Sequence, residues 1–381
     1  MNVLVYGAAR SGKAVADRLD DVVLVDRSLG NEDDLSLLDG IDVLVKSPGV
    51  PGDLPLVRTA RERGIPVWSE VELGYRLLAP AGAKFVGVTG TNGKSTTTAL
   101  LGAIFEADGR DVAVAGNIGV PLTSIDRADW VVCELSSFQL EDVHQLACDV
   151  AVLLNLEPDH LDRYATFDDY RDAKLRIFER AHAKVVPRGL GLDGLEFSAE
   201  DPLPAEPLIR GAHNRENAAA ATVAARAAGI GDDAIADALR TFAGIAHRLE
   251  LVAERGGVRY VNDSKATNVA AALRGLAAYA DEPVHLILGG SPKGENFAPL
   301  AAAIGPNVRS VHLIGAEGPR ICELVAGTVD GTLDAAVAHA EKLAEPGDVI
   351  LLSPACASYD QFANFEERGE EFRRLALGSL V

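Results

Sequence analysis

The run Phe85-Val86-Gly87-Val88-Thr89-Gly90-Thr91-Asn92-Gly93-Lys94-Ser95-Thr96 constrains the fold more than any other stretch. Phe85 to Val88 reads as a strand, the glycines as a turn, and a helix opens at about Ser95. Such a turn points backbone N–H groups inward, and a helix N-terminus adds partial positive charge. The combination is a phosphate cradle, in which Lys94 would reach the terminal phosphates and the Ser95 hydroxyl would ligate Mg²⁺. The strict pattern G-x-x-x-x-G-K-[ST] is not met, because Val88 stands where its first glycine belongs and Gly90 supplies the flexibility. A plain glycine turn carrying a surface lysine is the competing reading. The strand before it and the helix after it favour the cradle.

A chain of 381 residues has room for two or three domains, and 48% hydrophobic residues give it cores to build. No apolar run approaches the length of a membrane span. The N-terminus enters a strand at Val3-Leu4-Val5-Tyr6, so no signal peptide is expected. Cys133, Cys148, Cys322 and Cys356 are scattered, without zinc spacing or a disulfide framework. These features predict a cytoplasmic protein. A net charge of -20 argues against a nucleic-acid or membrane-surface partner.

Short, doubly apolar runs mark strands covered on both faces, as in parallel sheets. They occur at Val3–Tyr6, Val22–Val25 and Val43–Val45, with a crossover helix over Ala14–Leu19. Gly7 and Gly12 after the first strand and Asp26 after the second half-match a dinucleotide fingerprint, with Ala9 in place of the middle glycine. Asp26 serves equally well as a turn or cap residue. Ala79 to Ala83 is the best first linker. Further strands are expected at Phe85–Val88, Val112–Ala115, Val131–Glu134 and Val150–Leu154, each followed by a polar cluster. In open parallel sheets ligands bind beyond the carboxyl ends of strands, so four clusters would converge on one crevice.

A helix is expected over Asp168–Ala181, capped by Thr166. Lys174 falls within its apolar stripe of Phe167, Tyr170, Ile177, Phe178 and Ala181. A lysine there must snorkel out, pair with an acid or be chemically altered. Residues 183–208 read as a loop with one short strand at Leu195–Phe197, before helices at Asn214–Ala228 and Asp233–Phe242. A third α/β unit has strands at Val258–Val261, Val284–Leu288, Ser310–Ile314 and Val349–Leu352.

Over essentially the whole chain these motifs resemble the Mur ligases, ATP-dependent amide-forming enzymes of peptidoglycan synthesis. The resemblance is carried by Gly90 to Thr96, Asp159-His160-Leu161-Asp162-Arg163-Tyr164, the Lys174 helix, His213-Asn214 with Asn217, and His247-Arg248-Leu249-Glu250. Those motifs are shared with folylpolyglutamate synthases. Glu134 to Glu141, Asn262 to Asn268 and Ser353 to Phe362 are narrower. They resemble the branch that adds D-glutamate to UDP-N-acetylmuramoyl-L-alanine. The resemblance implies an α/β fold of three domains: a Rossmann-like domain over 1–81, a P-loop-type mononucleotide-binding domain over 82–246 and a Rossmann-like domain over 247–381. The segments 174–213 and 26–47 are shorter than the family's usual ones.

The resemblance also implies roles. Gly90, Thr91, Asn92, Gly93, Lys94, Ser95, Thr96, Asn214, Asn217, Arg248 and Asp263 would bind ATP. Two Mg²⁺ would be held by Ser95, Glu134, His160 and a Lys174 carbamylated by CO₂. Lys94, His160 and Lys174 would be catalytic. Gly12, Asp26, Arg27 and Gly49 would cradle the uridine diphosphate, and Asn117, Ser137, Gln139 and His160 would contact the muramoyl-alanine part. Lys265, Thr267, Lys293, Ser353 and Phe362 would surround D-glutamate. A monomer acting on these small molecules is expected. The alternatives are a relative with another amino acid or a folate acceptor, a non-catalytic nucleotide binder, and a nicotinamide dehydrogenase. The last leaves residues 85 to 381 unexplained.

Overall fold

The computed structural model describes residues 1–160, 163–209, 211–292 and 294–378. The chain divides into two compact units, residues 1–208 with 212–242, and residues 209–211 with 243–381. The described residues form three sheets, two in the first unit and one in the second.

The first sheet alternates β1 (Val3–Tyr6), α1 (Arg10–Arg18), β2 (Val23–Val25), β3 (Val43–Lys46), α2 (Pro55–Glu62), β4 (Val67–Ser69) and α3 (Glu70–Leu78). Its strands run parallel in the order β2-β1-β3-β4. The second sheet follows with β5 (Lys84–Thr89), α4 (Lys94–Ala107), β6 (Val112–Gly116), β7 (Trp130–Glu134), α5 (Ser137–Leu140), β8 (Val150–Leu153), α6 (Phe167–Leu175), β9 (Ala183–Pro187), β10 (Leu195–Phe197), α7 (Ala212–Ala227) and α8 (Asp232–Thr241). All six of its strands are parallel, in the order β10-β9-β8-β5-β7-β6. The loops after β5, β6, β7 and β8 therefore leave the same edge.

Both faces of the second sheet are covered, as its apolar strands require. Val86, Val88, Val132 and Val152 pack against α4, α7 and α8. The alanines Ala218 to Ala221, Ala224 and Ala225 are buried there, and their small size lets α7 lie close. On the other face Phe85, Val131 and Ala151 meet Val71 and Leu78 of α3. The helix that ends the first sheet thus roofs the second.

Buried charges fasten that roof. Glu72 of α3 is fully buried and accepts the backbone N–H groups of His144 (2.9 Å), Gln145 (2.9 Å) and Leu146 (3.1 Å), and Nε of Arg76 (2.8 Å). Lys46, at the end of β3, is 1% exposed and pairs with Asp142 at 3.2 Å. Arg61 of α2 pairs with the same carboxylate at 2.8 Å. Burial lowers the Lys46 pKa, and Asp142 opposes the shift.

The second unit holds β11 (Glu250–Arg255), β12 (Val258–Asn262), α9 (Val269–Ala277), β13 (Val284–Gly289), α10 (Ala298–Ala303), β14 (Val308–Ile314), α11 (Gly318–Cys322), β15 (Thr328–Gly331), α12 (Leu333–Leu343), β16 (Val349–Leu352) and α13 (Phe365–Ala376). The order is β11-β12-β16-β13-β14-β15, with only the β11–β12 pair antiparallel.

The structure departs from the sequence reading in a few places. Residues 183–187, expected as loop, form β9, because Val185 and Val186 are buried although Lys184 and Pro187 interrupt the apolar run. The strands β4, β11 and β15 were not expected; β15 is a sheet-edge strand with an exposed Val329. The helix expected to reach Ala181 ends at Leu175 and tightens into a 3₁₀ turn over Arg176–Phe178. Thr166 caps it as expected, in a reciprocal box with Asp169.

Replacing Glu72 by Ala strands three backbone donors and the Arg76 guanidinium in a buried place. We expect a loss of about 3 to 5 kcal/mol of unfolding free energy. Denaturant unfolding monitored by tryptophan fluorescence reads it, and a change below about 1 kcal/mol counts against the clamp.

Candidate active site

The strand β5 delivers its chain to Gly90, whose φ of +153° belongs to glycine, and the loop closes at Gly93, φ +81°, which caps α4. A Cβ on Gly93 would overlap the Asn217 side chain of α7. The loop is latched to the segment after β8. Thr91 N–H donates to Asn155 O (3.1 Å), Asn92 N–H to Asn155 Oδ1 (2.8 Å), and Asn92 Nδ2 to Glu157 (2.9 Å). The Thr91 hydroxyl lies 3.0 Å from that of Tyr170 on α6.

Two lysines meet at this loop. Lys94, the first residue of α4, donates to Gly90 O and Thr91 O, each at 2.9 Å. Lys174 of α6 donates to the same Gly90 O at 2.7 Å and is 1% exposed. Its pKa is lowered to about 7, first by burial and then by Lys94, against the pull of Asp159 and Glu134. Both effects favour its neutral amine over the ammonium form.

Glu134 ends β7, 1% exposed. Its Oε1 accepts from Asn117 Nδ2 at 2.7 Å, while its buried Oε2 has no hydrogen-bond partner among the described residues. A buried carboxylate oxygen left bare is costly unless a cation meets it. Ser95 and Thr96 occupy the first turn of α4.

His160 follows β8 with φ +53°, its ring exposed, 4.8 Å from Phe138 and 6.2 Å from Tyr170. Leu161 and Asp162 lie outside the described residues. Ser137 opens α5 and is buried. The Gln139 side-chain carbonyl accepts from Ser136 N–H at 2.9 Å, which caps that helix. Asn217 Nδ2 donates to Asn214 Oδ1 at 3.3 Å on α7. The second sheet thus brings Gly90 to Thr96, Asn117, Glu134, Ser137, His160, Lys174, Asn214 and Asn217 to the carboxyl edge of its strands and the start of α7.

The sequence reading gave no site role to Phe138, Tyr164, Tyr170 and Arg163, which stand beside His160. Arg163 lies 3.8 Å over the Phe138 ring and donates to Pro48 O (2.8 Å) and Val50 O (3.3 Å). Arg163 and Tyr164 belong to the quoted motif after His160, and this was the available signal. The expected uridine residues lie on the first sheet. Gly12 packs so close to Gly7 that a Cβ would overlap its carbonyl. The Asp26 carboxylate accepts from Ala8 N–H (2.8 Å), Ser28 N–H (2.8 Å) and the Ser28 hydroxyl (2.7 Å), which holds its pKa down at about 2. Arg27 and Gly49 are exposed.

In the second unit Asp263 is buried, accepts from the Ser353 hydroxyl at 2.7 Å and from Leu249 N–H at 3.3 Å, and has its pKa raised to about 7 by burial. Arg248 is among the charges near it. Lys265 and Thr267 follow β12, with Lys265 Nζ 5.8 Å from the Phe365 ring. Phe362 lines a cavity of about 600 Å³ whose wall carries Asp334, Glu367, Glu370 and Glu371. Arg374 is the basic residue of the same wall. Lys293 lies outside the described residues.

Residues 88–188 match the Mur ligase middle domain, and residues 247–356 match the Mur ligase glutamate ligase domain. A UDP-N-acetylmuramoylalanine–D-glutamate ligase of Anaeromyxobacter dehalogenans is 43% identical, over 98% of this chain and 97% of that one. The chain belongs to the Mur ligase family. A Geobacillus kaustophilus relative of the same name is 38% identical, over 97% of this Mur ligase and 96% of its own length. Among solved structures, the UDP-N-acetylmuramate-alanine ligase of Thermotoga maritima shares the fold, with a TM-score of 0.62, 18% identity and full coverage of both chains. A bifunctional folylpolyglutamate synthase/dihydrofolate synthase gives a TM-score of 0.55 at 20% identity, over 81% of this chain and 93% of that one.

Gly93→Ala tests the loop geometry of this Mur ligase. A β-carbon at φ +81° that also overlaps Asn217 should cost about 2 kcal/mol of stability. It should also weaken binding of an ATP analogue by calorimetry. Wild-type affinity and stability together would show that the loop tolerates a side chain there.

Proposed function

We propose that this Mur ligase joins D-glutamate to UDP-N-acetylmuramoyl-L-alanine with ATP, in the cytoplasm, as a step of peptidoglycan synthesis. The observation that carries the chemistry is the pair of buried groups around the phosphate loop: Glu134 with a bare oxygen, and Lys174, 1% exposed and donating to Gly90 O at 2.7 Å. The choice of substrates is supported by full-length relatives of that name at about 40% identity.

A carboxylate does not condense with an amine at neutral pH. Its oxygen attacks the γ-phosphorus of ATP, ADP leaves, and an acyl phosphate results. The amine of D-glutamate then attacks the acyl carbon, loses a proton, and phosphate leaves as the amide forms. Phosphoryl transfer depends mostly on positioning and charge neutralisation. Lys94, now folded onto Gly90 and Thr91, swings to the transferring group. Glu134 and Ser95 would hold a divalent ion, and their hard oxygens suit Mg²⁺. When bound, Mg²⁺ neutralises the phosphate charge. His160 and Lys174 would hold a second ion, once the Lys174 amine has bonded to the carbon of CO₂ and released a proton. That carbamate replaces a cation by an anionic oxygen donor.

Asn214 and Asn217 are assigned to the nucleotide, as are Arg248 and Asp263. Asn117, Ser137, Gln139 and His160 are assigned to the muramoyl-alanine part, and Gly12, Asp26, Arg27 and Gly49 to the uridine diphosphate. Lys265, Thr267, Lys293, Ser353 and Phe362 are assigned to D-glutamate. The Asp26 carboxylate would serve the uridine side by shaping the Gly7-to-Gly12 turn through Ala8 N–H.

Phosphate release should require ATP, Mg²⁺, UDP-N-acetylmuramoyl-L-alanine and D-glutamate together. Equal release with L-glutamate, or without the nucleotide-linked acceptor, overturns the assignment. Lys174→Ala should lower kcat by at least about 100-fold, a typical cost of losing a charge-stabilising group. Short carboxylic acids should restore part of that loss. Full activity of the variant without them disposes of the carbamate.

A further inference from the structure

At the β15 edge of the third sheet one His/Asp group gathers among the described residues: His312 of β14, Asp330 of β15 and His339 of α12. His312 Nδ1 lies 2.8 Å from Asp330 Oδ2, and His339 Nδ1 lies 2.9 Å from Asp330 Oδ1. The β14–β15 register pairs Leu313 with Val329 and Ile314 with Gly331, so Asp330 is the extra residue of a β-bulge. A bulge turns a side chain out of the ordinary alternation. Here it sets one carboxylate between two imidazoles.

A second observation comes from the other side of His312. Its Nε2 is 2.8 Å from the Ser310 hydroxyl, which is 2.7 Å from His285 Nδ1. His285 Nε2 is 3.1 Å from Asp348 Oδ2. Asp348 Oδ2 also receives Arg309 Nη1 at 3.1 Å and Glu345 N–H at 2.9 Å. His285 and His312 are each 1% exposed, so this chain of contacts is buried. When His312 donates through Nε2 to the Ser310 oxygen, its Nδ1 lone pair faces the Asp330 carboxylate, the arrangement in which Nδ1 can bind a cation.

The geometry points to a zinc-class divalent metal site formed by His312 Nδ1, His339 Nδ1 and the Asp330 carboxylate. Two imidazoles and a carboxylate suit Zn²⁺ and its neighbours rather than Mg²⁺. The ligand atoms lie within 4.8 Å of one another. Tetrahedral Zn²⁺ with bonds near 2.0–2.1 Å sets its ligands about 3.3 Å apart. The two hydrogen-bonded contacts then open by a few tenths of an ångström, and the two imidazole nitrogens, up to 4.8 Å apart, draw together. Ser310, His285 and Asp348 supply the outer hydrogen bonds that fix the tautomer of a metal-bound imidazole. His339 is 38% exposed, which gives the ion an entry path and leaves room for water as the remaining ligand.

The test uses the full-length protein stripped of metal, with Zn²⁺ or Co²⁺ alone as the probe. Wild-type protein should bind one more equivalent of Zn²⁺ than Asp330→Asn or His339→Ala. Co²⁺ should give visible d–d bands that both substitutions abolish. Ser310→Ala should weaken this equivalent by about 10- to 100-fold, as the loss of an outer hydrogen bond does. His339 is partly exposed, so its variant should fold, and its Mg²⁺-supported phosphate release should match wild type. Equal Zn²⁺ stoichiometry and affinity in wild type and both variants overturns the site. So does ¹⁵N NMR showing a protonated Nδ1 on His312 in Zn²⁺-saturated protein, because a proton then stands where the metal should be.

Discussion

One carbonyl, that of Gly90, accepts hydrogen bonds from two lysines at once. The oxygen is offered by a glycine whose φ of +153° is open to no ordinary side chain. It holds Lys94 at the turn between β5 and α4 and anchors the buried Lys174 of α6. Like charges converging on one acceptor, with little water between them, favour the neutral amine on the more buried partner. The loop conformation, the reactivity of Lys174 and the placement of α6 are therefore one problem with one solution.

Strand direction solves the other half. The second sheet is parallel throughout, so the loops that carry Glu134, Asn117, His160 and the glycines must leave from one edge. Glu134 arrives there already desolvated by β5 and β6 on either side of β7, with one oxygen committed to Asn117 and the other bare. A site made this way is organised before any ligand arrives, and little reorganisation remains when charge develops.

What could be read from the sequence was local. Gly90 to Ser95 is legible because strand, turn and helix are contiguous, and Lys174 because its neighbours at helical spacing are apolar. Thr166 announced its helix by its own side chain. The fastening charges were not legible: Glu72 meets N–H groups more than 70 residues away, and Lys46 looks like the ordinary end of a strand until Asp142 is folded against it. Asp330 escaped for a different reason. A bulge changes which way a side chain points, and no two-residue alternation reveals it. The strand β9 was hidden by a lysine and a proline inside a short apolar run.

The carboxylate of Glu72 has a consequence for how this protein can be rebuilt. It donates nothing and satisfies three amide hydrogens of a loop from the neighbouring sheet. That loop owes its shape to a residue it does not contain. The first sheet is thus not a detachable module: a chimera that grafts another relative's first 80 or so residues must carry a matching acid on α3, or bring the 144–146 loop along with it. Exchange at this seam has to occur in matched halves.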